Sequence, residues 1–143
     1  MSFPTGATEV ASKFARAVVR RKWADIVPLL SITAQAAFPA DRLAAEFDWA
    51  TLGPRLRREH IEASGESDDM VPELDRPKRF EVFEVEEREP PAGHNPAIPV
   101  VWVEVDFQPS EDSEFDVCYN CFLAFVDEDG LRIMSYAIES AME

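Results

Sequence analysis

From Val10 onward apolar residues recur every three or four positions. Val10, Phe14, Ala17 and Val18 make one stripe, the pattern of an amphipathic helix. Thr5 or Thr8 can cap its start, and the run Arg20, Arg21, Lys22 suits the negative end of its dipole. Trp23, Ile26, Val27 and Leu30 form a second stripe with Pro28 inside it. Proline is tolerated in a first turn but not deeper, so a new helix is expected to begin around Trp23 to Asp25. A third helix is predicted over PADRLAAEF, with Asp41 as cap and Leu43, Ala44 and Phe47 facing inward. Leu52, Gly53 and Pro54 then read as a glycine stop followed by proline. The next stretch, RLRREHIEASGESDD, fits either a short helical continuation or an edge strand and a loop.

From Arg79 the period changes to two. In RFEVFEVEER the alternation slips between Val82 and Phe83, which predicts a bulge or a strand covered on both faces. EPPAGHNPAIP is a proline-rich connection unable to pair as a ladder. VVWVEVDF places Val101, Val103, Val105 and Phe107 on one face and Trp102, Glu104 and Asp106 on the other. QPSEDSE is a polar turn. FDVCYNCFLAFV and LRIMSYAI are joined by DEDG, and a loop of Glu128, Asp129 and Gly130 is a hairpin signal. A regular register from that loop sets Phe125 opposite Ile133, Leu123 opposite Ser135 and Phe122 opposite Tyr136. Helices followed by an antiparallel meander make an α+β fold, with the helices packed on one face of a curved sheet. The length of 143 residues fits a single domain over 1–143.

Charge narrows the partners. Lys and Arg number 14 against 28 Asp and Glu, a net charge of −14. Nucleic acid and anionic membrane surfaces are disfavoured, whereas a basic protein partner is allowed. No apolar run approaches the length of a membrane span. The opening MSFPTGATEV shows no basic segment followed by an apolar one, so no secretory signal is expected. With two cysteines in the chain, a reducing, cytoplasmic setting is expected. Arg55, Arg57 and Arg58 form a further basic cluster, read as salt-bridging to nearby carboxylates.

The two cysteines stand as Cys118-x-x-Cys121. On a strand, residues three apart point to opposite faces, so this pair neither forms a disulfide nor grips one metal. A redox pair normally begins a helix, where the dipole lowers the thiol pKa. A zinc site would need a second pair of ligands. Both cysteines are read as structural, with no metal and no cofactor. His60 and His94 fall in predicted loops.

VASKFARAVVRRKWADIVPLLS resembles the opening of nuclear-transport-factor-2-like (cystatin-like) domains: a helix of the form A-x-x-F-x-x-A, a charged break, and a second helix ending in a leucine pair. FPADRLAAEF is similar to the helix that follows there, and DEDGLRIMSYAI to the closing hairpin. The resemblance implies a cone-shaped domain whose sheet curls around the helices, with a pocket at the open end. It also implies that the opposite sheet face is available for a dimer. Functions in that superfamily range from isomerases, dehydratases and polyketide cyclases to binding proteins without chemistry, and fold does not choose among them.

Strand parity then gives candidate residues. A pocket is expected between helices and inner sheet face, lined by Phe14, Phe47, Tyr119, Cys121 and Ser135, with Ser135 and Ala137 as small residues leaving room for an apolar small molecule. A homodimer interface is expected from Trp102, Phe122, Met134 and Tyr136 on the outer face. The set lacks a clear catalytic constellation, although Glu84 or Glu86 could supply a base. The expected role is therefore non-catalytic binding of an apolar small molecule or a protein partner. The alternatives are an isomerase-, dehydratase- or cyclase-type enzyme with a pocket carboxylate, or an acidic inhibitor or immunity-type protein masking a basic partner.

Overall fold

Glycine, not threonine, opens the first helix of the computed structural model. The structure describes residues 6–67, 77–85, 88–89, 100–108, 117–127 and 130–142, and only the backbone of 117–119 and 140–142. Helix α1 (Ala7–Arg20) follows Gly6, whose φ of 99° lies in the left-handed region that a side chain disfavours. Thr8 lies inside the helix, where its carbonyl accepts from Ser12 Oγ at 2.9 Å; Thr5 lies outside the described residues. The stripe turns Ala7, Ala11, Phe14, Ala15, Ala17 and Val18 into the core. Arg21 ends the helix in the left-handed region, its N–H donating to Val18 and that of Lys22 to Ala17, which satisfies two terminal carbonyls.

The second stripe does not form an α-helix. Two single 3₁₀ turns, Trp23–Asp25 and Val27–Leu29, carry it, with Pro28 at the start of the second, where its missing N–H is harmless. A short helix that the stripes did not announce, α2 (Ile32–Ala37), follows Ser31, whose hydroxyl accepts from the N–H of Ala34 at 3.2 Å. Helix α3 (Ala40–Glu46) is where its pattern put it, with Leu43 and Phe47 inward, but Pro39 rather than Asp41 precedes it.

The glycine stop at Gly53 is overturned. Helix α4 (Trp49–Ser64) begins at Asp48, whose carboxylate accepts from the N–H of Ala50, and runs through Gly53 and Pro54 to a left-handed Gly65. Gly53 serves close approach: a Cβ there would lie 3.0 Å from Cε2 of Trp49. His60 therefore lies on a helix, 3.5 Å from Glu66, and Arg55 pairs with Glu59 one turn on at 3.6 Å. His94 lies outside the described residues.

Four antiparallel strands, β1 (Arg79–Val85), β2 (Val101–Gln108), β3 (Val117–Asp127) and β4 (Leu131–Met142), pair in chain order. Strand β1 pairs regularly with β2 throughout, so the expected slip at Val82 and Phe83 is absent. The bulge lies instead in the last hairpin. Phe125 faces Ile133 as expected, but Ala124 faces Ser135 and Leu123 faces Tyr136, leaving Met134 as the extra residue. One extra residue reverses every side chain beyond it. Here the reversal turns Tyr136 and Ile138 toward the helices, where they pack against the core, and the small Ser135 and Ala137 away. The chain returns to this point: Leu30 bridges Ile133, and the N–H of Ser31 donates to the Ile133 carbonyl at 2.9 Å.

The core lies between the helices and one sheet face. Phe14, Leu43, Leu52 and Leu56 pack there with Val103, Val105, Phe107, Cys121, Leu123, Phe125 and Ile133. Trp102, Ala124 and Val126 are buried as well but belong to no part of that cluster, because they sit on the other face. The fold is α+β, with helices on one side of the sheet.

Candidate functional site

On the helix side, aromatic rings pack against one another where a pocket is expected. Phe14 meets Phe47 edge to face at 5.9 Å between centroids. Tyr136 lies 5.3 Å from Phe47, 5.1 Å from Phe38 and 6.3 Å from Phe14. Trp23 stacks on Phe47 at 5.9 Å. Such pairs favour these tilted and offset arrangements, and each stabilises beyond its buried area. Phe14 and Cys121 are wholly enclosed and Phe47 nearly so. Burial pushes the Cys121 thiol far up from its ordinary pKa. Tyr119 takes an inner-face position opposite Phe107, and its side chain lies outside the described residues. A recess of about 10 Å³ lies beside the cluster, lined in part by Trp23, Phe47, Trp49 and Pro77; that is about the least volume that holds one water.

Two expected residues change sides. Ser135, expected in the pocket, lies on the outer face because of the bulge at Met134, and Tyr136, expected on the dimer face, lies among the core aromatics. The Tyr136 hydroxyl is buried without a hydrogen-bond partner.

The outer face reads as rows of cross-strand neighbours. Glu81, Asp106, Asn120 and Glu139 form a polar row across β1 to β4. Phe83, Glu104, Phe122 and Ala137 form the next, and Val85, Trp102, Ala124 and Ser135 the third. Phe83 is 43% exposed. Trp102, expected to anchor a dimer, is only 6% exposed, and its indole N–H is buried without an acceptor. Arg88, which the sequence did not single out, lies over this face. Its guanidinium carbon is 4.0 Å from the Phe122 ring centroid and 4.9 Å from that of Trp102, and Nη2 is 3.1 Å from Oε1 of Glu139.

The polar row is electrostatically crowded. Burial, and then the charge and hydrogen bond of Glu104 and the charge of Glu81, raise the Asp106 carboxyl to about 6. Asn120 donates Nδ2 to Glu104 at 3.3 Å. This carboxylate faces away from the helices, so it does not supply the pocket base of the enzyme alternative. Glu84 has an inner-face register position but is exposed on the outermost strand, and Glu86 lies outside the described residues. Among the described residues no group of three or more His, Cys, Asp or Glu is placed to hold a metal ion, and no helix is long and apolar enough to cross a membrane.

Comparison with protein-family models, curated proteins and solved structures gave no match.

Proposed function

We propose that this protein is a non-catalytic binding domain of the nuclear-transport-factor-2-like kind that engages a protein partner through the outer face of its sheet. One contrast carries the reading. On the helix side the rings of Phe14, Phe38, Phe47 and Tyr136 pack together, whereas the outer face combines Phe83, Trp102 and Phe122 with a row of carboxylates. Ligand sites for small molecules are concave and of several hundred Å³, and the recess found beside Phe47 among the described residues is far smaller, about 10 Å³. Protein interfaces are enriched in aromatic residues at their centre and polar at their rim, and here the aromatic positions lie beside the carboxylate row. The helices-first order and the four-strand meander support the family reading.

Two measurements test the proposal. An anilinonaphthalene dye should stay dark with the native protein; stoichiometric fluorescence at neutral pH would restore the small-molecule reading. Peptides selected from a random display library should perturb the Trp102 indole and Phe122 resonances. Selected peptides that perturb only helix residues would refute the outer face as the binding surface. Light scattering reads the homodimer directly: a dimer broken by Phe122→Glu would make the partner a second copy.

A further inference from the structure

We infer that the outer face recognises an arginine-bearing segment of a protein partner, and that Arg88 occupies the arginine position in its absence. This rests on the protein-binding reading above and names the partner's chemistry. The geometry around Arg88 is that of a guanidinium receptor. Three strands contribute: Trp102 from β2 and Phe122 from β3 offer ring faces at 4.9 and 4.0 Å, and Glu139 from β4 offers a carboxylate oxygen at 3.1 Å. A planar guanidinium can stack on rings and hydrogen-bond a carboxylate at once, which a lysine ammonium does less well.

The surroundings are matched to more than one such cation. Glu81, Glu104 and Asp106 continue along the same face beyond the clamp. Burial first, and then the neighbouring charges of Glu104 and Glu81, raise the Asp106 carboxyl. Among the described residues the cations on this side are Arg88, Arg79 at the far end of β1, and Arg132, which is drawn to the Pro28 carbonyl. A basic segment would offset those charges. A second copy of this chain would set the same carboxylate rows against each other at a net charge of −14 each, and nucleic acid would be repelled likewise.

Random peptides are selected by display against the folded protein, and enriched sequences are titrated into isotope-labelled protein with the Trp102 indole resonance as readout. The expected result is enrichment of arginine, a shifted Trp102 signal, and about tenfold weaker binding when arginines are replaced by lysines. Arg88→Ala should empty the clamp and strengthen binding of an acetylated oligo-arginine peptide several-fold, and Glu139→Gln should weaken it. Enriched sequences without basic residues that still move Trp102 would overturn the arginine inference and leave the protein-binding reading standing. Peptides that never move Trp102 would overturn both, whereas a homodimer closed over this face would overturn the arginine inference and make the partner a second copy. Equal affinity for oligo-arginine and oligo-lysine, or no gain from Arg88→Ala, would overturn the clamp.

Discussion

Leu123 lies across the ladder from Tyr136, not from Ser135, because Met134 is the unpaired residue of a bulge. That single residue decides which side of the sheet carries an aromatic ring. Tyr136→Ala removes the ring shared by Phe14, Phe38 and Phe47 and should destabilise the fold by about 3 kcal/mol. Tyr136→Phe keeps the ring and deletes a buried hydroxyl that has no partner, so it should be neutral or stabilise by about 1 kcal/mol. Urea unfolding of both variants checks the pair; a large loss for Tyr136→Phe would mean that the hydroxyl is satisfied.

This bulge also marks the boundary of what the sequence makes legible. Strict alternation placed Val103, Val105 and Phe107 inward and Trp102, Glu104 and Asp106 outward without error, because every residue of β2 keeps its period. In LRIMSYAI the pattern is consistent with two registers. The one that packs Tyr136 and Ile138 against the core brings Tyr136 to the rings of Phe14, Phe38 and Phe47, which lie far away in sequence. Three of the five expected pocket residues, Phe14, Phe47 and Cys121, lie in the inner core, and Tyr119 has an inner-face register position, but parity does not say whether the space between such residues is filled. Arg88 was invisible for another reason. It is one arginine in an acidic run, and only the fold brings it to Phe122 and Glu139.

Gly53 marks a second misread signal and yields a sharp test. In a helix interior, alanine is favoured over glycine by about 1 kcal/mol. At this position a Cβ would lie 3.0 Å from the Trp49 ring, so Gly53→Ala should instead destabilise by about 1 kcal/mol. In a Trp49→Ala background the obstruction is gone, and the same change should become stabilising. Thermal melts of the four proteins give the coupling; an unchanged sign would show that Trp49 simply moves aside.

Cys121 is fully buried and its thiol pKa is pushed up by that burial, so the reactive thiolate is doubly disfavoured. Iodoacetamide should leave Cys121 unmodified in the native protein and label it only as the chain unfolds. Peptide mass spectrometry distinguishes it from Cys118. Rapid native labelling of Cys121 would contradict the packing against Val105 and Ile138.

The last expectation concerns pH. Asp106 titrates at about 6 in the fold against 3.8 for a free carboxyl. Between those values the folded chain binds more protons than the unfolded one, so stability falls as pH rises through this window, and the full penalty is present above the folded value. The groups that face Asp106 are Glu104 on its own strand, Glu81 on β1 and Asn120 on β3. Asp106→Asn removes the ionisation, so this variant should melt higher than the parent at neutral pH, with the difference fading as pH falls toward about 4. Glu104→Gln should recover part of the same gain, since it removes the neighbouring charge. The outer face ties this titration to binding. An arginine brought beside Asp106 stabilises its charged form, so a basic peptide should bind more tightly as pH rises from about 5 to 7 and should release protons at about pH 6. Calorimetry in buffers of different ionisation enthalpy counts those protons. Proton uptake, or an Asp106→Asn advantage that is the same at every pH, would remove Asp106 from the account.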